Sequence, residues 1–158
     1  MPGTFETATA TDFGHLSEDL SFVSRVLRSR LLELNEPFFA EHKLAAGEVA
    51  VLNLIALNPG ITQKHLASAV VVRKSGLTKL VNELEKAGFI ERRKEGDDMR
   101  QNALYLTDDG TRRLAGMRPE MARIKEQILS PLSPGERAML FELLWRIIDG
   151  TYQNADDR

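Results

Sequence analysis

The sequence contains no cysteine. This absence excludes a disulfide framework, a thiolate metal site and a cysteine-based redox switch. No apolar run approaches the roughly 20 residues that a membrane-spanning helix requires. The polar first residues also lack the basic and apolar segments of a signal peptide. Together these absences predict a cytoplasmic protein with no membrane segment.

The residues that catalysis requires are also scarce. The three histidines, His15, His42 and His65, are scattered without the spacing of metal ligands. No glycine-rich phosphate-binding loop is present, and no nucleophile can be paired with a general base. We therefore expect no enzymatic activity, no metal site and no cofactor.

The charge is unevenly distributed along the chain. The net charge of −2 argues against a general nucleic-acid binder. However, residues 61–100 carry 9 basic and 6 acidic side chains, whereas residues 1–60 carry 4 basic and 8 acidic ones. A local basic patch of this kind attracts phosphate groups, although an ordinary solvated surface could have the same composition.

Apolar residues at intervals of three and four predict helices along most of the chain. The first has a stripe from Leu16 to Leu34, with Ser17 as its N-cap and Pro37 as a stop or kink. Further helices are predicted over 46–57, 63–69 and 73–87, after Thr107 with a kink at Pro119, and after a capping box that begins at Ser133. The residues over 90–94 and 101–106 instead predict a β-hairpin with a charged tip. The expected fold is mostly α with a small β-hairpin wing.

A short helix, a tight turn, a second helix and a hairpin form a winged helix-turn-helix. In this arrangement the second helix can enter the DNA major groove, where each base pair shows a distinct pattern of donors and acceptors. The buried stripe of the helix over 73–87 leaves a face of small and polar residues. The same face also fits an ordinary amphipathic helix with a solvated side.

The hairpin adds a second basic element. Arg92, Arg93, Lys94 and Arg100 flank a tip that also holds Asp98. A long arginine on a narrow hairpin can enter a minor groove, whose negative potential attracts it; the alternative is a charged surface turn. The DNA-contacting residues predicted for the domain are Thr62, Gln63, Arg73, Lys74, Ser75, Thr78, Lys79, Asn82, Arg92, Arg93, Lys94, Asp98 and Arg100.

Two long apolar seams lie at opposite ends of the chain. A small central domain cannot cover both, so we expect them to pack together and against a second copy. This predicts a winged helix-turn-helix domain over 46–107 and a helical dimerisation region over 14–45 and 108–153. Residues 1–13 and 154–158 are expected to be disordered ends.

Three runs follow one another in the middle of the chain. They are Leu84-Glu85…Gly88-Phe89-Ile90…Arg92, then Asp98-Met99-Arg100, then Leu106-Thr107…Gly110. In this combination the chain resembles the MarR family of bacterial transcription regulators over about residues 16–150. The resemblance implies a homodimer, joined through its terminal helices, on a pseudo-palindromic operator. It places Ser75, Thr78 and Lys79 on the recognition helix and Asp98 and Arg100 on the wing, with Arg92 as their structural partner. Ala45 departs from the family, which often has a Ser or Thr cap there.

The resemblance also implies a small-molecule effector, such as an aromatic or acidic compound or its thioester, and we expect it to release a repressor from DNA. Phe22, Phe38, Phe39 and Trp145 could line its pocket, although their helical spacing favours plain core packing. Arg25 and Arg28 could hold a carboxylate, although solvent exposure or ion pairs within the dimer are favoured for both.

A winged helix can also serve as a protein-interaction module without sequence-specific DNA binding. Such a module would favour an apolar face on its second helix. The face of the helix over 73–87 is polar and basic, and this favours DNA as the partner.

Overall fold

The computed structural model describes residues 11–45, 47–69, 74–94 and 102–156. A 3₁₀ turn over Gly14–Glu18 precedes the regular elements. These are α1 (Leu20–Glu41), α2 (Glu48–Leu57), β1 (Ile61–Thr62), α3 (Gln63–Ala69), α4 (Lys74–Lys86), β2 (Ile90–Lys94), β3 (Asn102–Leu106), α5 (Asp108–Leu129) and α6 (Pro134–Asp156). The fold is mostly helical with a small antiparallel sheet, as predicted. The chain forms two compact units, Met1–Pro119 and Glu120–Arg158.

Some predictions concern residues outside the described ranges. They include Arg73, Asp98 and Arg100 among the proposed DNA contacts, and residues 1–10 and 157–158 of the expected disordered ends. Residues 154–156 were also expected in a disordered end, but α6 continues through them to Asp156. No glycine or proline follows Gly150 to stop the helix.

The start and end of α1 both differ from the prediction. The N-cap is Asp19, whose Oδ1 accepts a hydrogen bond from the Phe22 backbone N–H at 2.6 Å. Ser17 lies in the preceding 3₁₀ turn and donates to the Gly14 carbonyl instead. Asp19 has the extended backbone that an N-cap requires, and its carboxylate is a good acceptor for the free N–H groups. Pro37 removes one backbone donor, yet α1 continues past it to Glu41.

The N-terminus of α2 is formed without a Ser or Thr cap. Gly47 precedes the helix with a φ of 84°, a conformation that favours glycine. Among the described residues no side chain caps this end; instead, the Glu48 side chain reaches back to accept from the Ala45 N–H at 3.1 Å. The departure at Ala45 is therefore offset by Glu48.

The core of the first unit lies between α2, α3, α4 and the sheet. The strands have the order β1-β3-β2 and are antiparallel, with Ile61 and Arg92 both opposite Leu104. The two-residue strand β1 was not predicted. The predicted inner stripe of α4 is confirmed, because its four members, Leu77, Leu80, Val81 and Leu84, are all buried. The core side chains are Val51, Leu52, Ile55, Leu66, Leu77, Leu80, Val81, Leu84, Ile90 and Leu104.

The junction between the wing and α5 is held by Thr107. Its Oγ1 accepts from the Gly110 N–H at 3.0 Å, as predicted for a helix cap, and donates to the Gly88 carbonyl at 2.6 Å. The Thr107 N–H donates to the Phe89 carbonyl at 3.1 Å. One residue therefore ties the start of α5 to the turn between α4 and β2.

The second unit confirms the predicted capping box. The Glu136 carboxylate accepts from the Ser133 N–H at 2.8 Å and from its hydroxyl at 2.7 Å, and these bonds lower the pKa of Glu136. Arg137 donates to the Leu129 and Leu132 carbonyls at the end of α5 and pairs with Glu126 at 2.7 Å.

Within the described residues, no helix has both the length and the apolar character needed to cross a membrane.

Candidate nucleic-acid interface

Helices α3 and α4 are joined by one polar contact and one buried side chain. Thr62 starts α3, since its Oγ1 accepts from the His65 N–H at 3.3 Å. In the same turn the Gln63 Nε2 lies 2.9 Å from Thr78 Oγ1 on α4. Leu66, one turn further along α3, is fully buried. Two of the predicted contact residues, Gln63 and Thr78, therefore hold the helices to each other.

The outer face of α4 is polar. Thr78, Lys79 and Asn82 are exposed, opposite the buried stripe of the same helix. The Lys79 side chain is 79% exposed, and its Nζ lies 3.8 Å from Glu83, an interaction of little strength in water. Lys74 and Ser75 form the start of the helix. The structure therefore places five predicted contact residues on one helix, with a lysine charge available at its surface.

Arg92 connects the wing to α4. One of its terminal nitrogens pairs with Glu85, and its Nη2 donates to Asn82 Oδ1 at 2.7 Å. Its side chain is only 21% exposed. We expected Arg92 to support Asp98 and Arg100 at the wing tip, but both lie outside the described residues. That expectation stays a prediction, and the partners of Arg92 within the described residues are Glu85 and Asn82 on α4.

Arg93 lies along the outside of the wing. Its guanidinium stacks over the Tyr105 ring at 4.4 Å and donates to the Glu91 carboxylate. The cation–π contact and the ion pair restrict this side chain to a few rotamers. Lys94, at the end of β2, is exposed. The wing thus combines a held arginine with an exposed lysine.

Sequence reasoning missed Glu85, Glu91 and Tyr105. Signals for them were present: Glu85 lies three residues after Asn82 on one helical face, and Glu91 lies two residues before Arg93 on one strand face. Predicting Tyr105 as a partner of Arg93 would have required the strand register, because Tyr105 lies opposite Glu91 on the neighbouring strand.

The effector candidates on α1 lie in different surroundings. Phe38 is buried, with ring centroids 5.6 Å from Phe39 and 4.8 Å from His42, which agrees with the favoured core role. Phe22 contacts Phe13 at 5.4 Å, and Arg25 and Arg28 are exposed. An open groove of about 520 Å³ includes Phe39. Its lining residues are Ser29, Leu32, Glu33, Glu36, Phe39, Ala40 and Leu44, whose charged members are both acids.

The chain is similar in sequence to transcriptional regulators. A sequence profile of the MarR family matches residues 43–101. A putative transcriptional regulatory protein for the hcr operon of Thauera aromatica is 37% identical over 101 residues, which are 64% of this chain and 61% of that relative. The match therefore spans less than two thirds of the relative.

Two solved structures have the same fold. The transcriptional repressor CouR, bound to a 23-mer DNA duplex, aligns with a TM-score of 0.79 and 26% identity, covering 89% of this chain and 99% of CouR. The PcaV transcriptional regulator from Streptomyces coelicolor, in complex with its natural ligand, aligns with a TM-score of 0.76 and 26% identity, covering 90% and 99%. These similar proteins are transcriptional regulators and not enzymes.

Proposed function

We propose that this chain is a homodimeric bacterial repressor of the MarR family that binds a pseudo-palindromic operator, because a MarR profile matches its central part and its similar proteins are transcriptional regulators. The observation that carries the proposal is the exposed polar face of α4, beside a wing that Arg92 ties to the same helix. The helix is held on its inner side by Leu77, Val81 and Leu84. It therefore presents its outer face as a rigid surface, which DNA recognition requires.

In the proposed complex α4 enters the major groove. The proposed contacts in the groove begin with Arg73, Lys74 and Ser75. One turn later they continue with Thr78, Lys79 and Asn82. Thr62 and Gln63 are placed at the start of α3, where backbone N–H groups favour a phosphate. The wing contributes Arg93 and Lys94, together with Asp98 and Arg100 at its tip, and enters the adjacent minor groove.

The proposed dimer is supported by apolar side chains at both ends of the chain. On α1, Leu20, Val23 and Leu27 are between 42% and 54% exposed in a single copy. On α6, Trp145 is 62% exposed. Exposed apolar patches of this kind usually mark interfaces, and the proposed domains remain 46–107 for DNA and 14–45 with 108–153 for dimerisation. The exposed residues of α6 are Met139, Leu140, Phe141, Leu143, Leu144, Trp145, Ile147 and Ile148.

We further propose release from DNA by a small-molecule effector, and a cytoplasmic location with the chromosome. PcaV was solved with its natural ligand, which supports a ligand site in a protein of this fold. Arg25 and Arg28 are exposed in the single copy and therefore available to an acidic ligand. Phe22 and Phe39 are partly exposed and could contact its ring, whereas the burial of Phe38 assigns that ring to the core.

Replacing Lys79 with alanine is expected to weaken binding to an operator duplex by about 1–3 kcal/mol. The reason is that its ammonium group is exposed and only weakly engaged by Glu83. Fluorescence anisotropy over a series of salt concentrations measures the affinity. A base contact changes the preferred sequence, whereas a phosphate contact gives an equal loss on every duplex and a shallower salt slope.

Lys125→Ala is the matched control, because it removes the same charge from the proposed dimerisation region. It should leave the affinity nearly unchanged. Equal losses in both variants would mean that only overall charge matters. Wild-type protein that binds no duplex preferentially would instead favour the protein-interaction module.

A further inference from the structure

The hydrogen bond between Asn82 and Arg92 has a direction that chemistry fixes. A guanidinium group carries five N–H donors and no acceptor. The Asn82 atom 2.7 Å from Arg92 Nη2 must therefore be the carbonyl oxygen Oδ1, as the structure has it. Gln63 differs, because the Thr78 hydroxyl that it contacts can either donate or accept.

Arg92 cannot easily release this oxygen. Its other terminal nitrogen pairs with Glu85, and the side chain is 21% exposed, between β2 and α4. A guanidinium held by two partners on one helix has lost most of its rotamer freedom, so keeping the second bond costs little further entropy. The Asn82 carboxamide is therefore held at its oxygen.

The exposed end of Asn82 is then its NH2 group. Asn82 lies on the outer face of α4, and within the described residues its Nδ2 donates to no protein atom. An asparagine that recognises adenine uses both ends of its carboxamide, accepting from N6 and donating to N7. The bond from Arg92 takes one of the two lone pairs of Oδ1 and fixes the direction of the carboxamide, so that the NH2 group is the end directed away from the wing arginine.

We propose that Asn82 contacts DNA through the NH2 group of its side chain and that Arg92 is its positioning residue. This rests on the proposed function, and it adds a rule of specificity: the Asn82 NH2 group donates to an acceptor on DNA, which is a phosphate oxygen or an acceptor on a base edge.

Two substitutions at one position test the direction of this contact. Asn82→Ala removes the donor without adding charge and should lower operator affinity about 3- to 30-fold. Asn82→Asp keeps an acceptor for Arg92 but turns a carboxylate toward DNA, so it should lower affinity further than Asn82→Ala. Its melting temperature should equal or exceed that of the wild type, because the Arg92 contact becomes an ion pair.

The proposal is decided by which of the two variants binds the operator more tightly. Asn82→Ala with wild-type affinity, or Asn82→Asp binding as well as or better than Asn82→Ala, would overturn it. Losses of equal size on the operator and on a scrambled duplex identify a phosphate acceptor, whereas a loss confined to the operator identifies a base. Failure of the proposed function has a different signature, since the wild-type protein would not prefer the operator.

The positioning role of Arg92 is tested by repeating Asn82→Ala in an Arg92→Leu background. Once the amide is no longer held, the fold-loss caused by Asn82→Ala should shrink to less than half of its wild-type value. A merely structural role would lower the melting temperature and leave that ratio unchanged, and an unchanged ratio would overturn the assignment.

Discussion

Replacing Arg113 with methionine is expected to lower the free energy of unfolding by about 3–5 kcal/mol. Arg113 donates to Glu48 Oε1 from Nε at 3.0 Å and from Nη2 at 2.9 Å, and Nη2 also donates to the His42 carbonyl at 3.1 Å. Its guanidinium stacks 4.6 Å from the Phe89 ring. Since Glu48 is only 6% exposed, its carboxylate would lose its cation without gaining water. Urea unfolding at fixed protein concentration measures the change, with a melting temperature about 10 °C lower.

The neighbouring arginine provides a matched control. Arg112 pairs with Asp109 at the surface, where its side chain is 72% exposed. Arg112→Met should therefore change the free energy of unfolding by less than about 0.5 kcal/mol. The double variant Arg113→Met with Glu48→Leu should regain much of the lost stability, because it no longer contains a buried unpaired charge. Equal effects of Arg112→Met and Arg113→Met would contradict the buried ion pair.

Replacing Gly110 with alanine should also be strongly destabilising, by about 3 kcal/mol or more. A Cβ atom at this position would overlap the carbonyl oxygen and carbonyl carbon of Phe89. These are backbone atoms at the start of the wing, and the Phe89 carbonyl is held by the Thr107 N–H. They cannot move aside as a flexible side chain would. Thermal unfolding, followed by circular dichroism, measures the loss.

Gly116 is the control for Gly110, because it lies on the same helix with open space around its Cα atom. Gly116→Ala should raise the free energy of unfolding by up to about 1 kcal/mol, through the higher helix propensity of alanine. The two substitutions are chemically identical and should have opposite signs. A stable Gly110→Ala protein would show that α5 does not pack closely on Phe89.

The features that local sequence determines were predicted well. The buried stripe of α4 follows from a helical period of 3.6 residues, and β2 begins at Ile90 and ends at Lys94 as expected. The capping box at Ser133 is equally local, because its two partners are three residues apart. In each case the decisive contacts lie within one turn or one strand.

Features that depend on distant residues were missed. The strand β1 has two residues and exists only because Ile61 pairs with Leu104. The partners of Arg92 depend on how β2 crosses α4, which no local pattern gives. The Ser17 prediction failed for a local reason, since a serine and an aspartate compete for one cap within three residues. The exposure of Trp145 was also missed, because the helical spacing of the aromatic residues favoured core packing.

The proposed function requires that α4 and the wing bind a specific two-fold DNA sequence. Selection of bound duplexes from a random pool, followed by light scattering of the purified complex, measures both the sequence and the number of copies bound. We predict enrichment of an inverted repeat, with half-site centres about 10–10.5 base pairs apart, bound by two copies of the chain. Its affinity should exceed that for a scrambled duplex at least about a thousand-fold at the same salt concentration. A pool that remains random after selection, with equal affinity for every duplex, would contradict the claim.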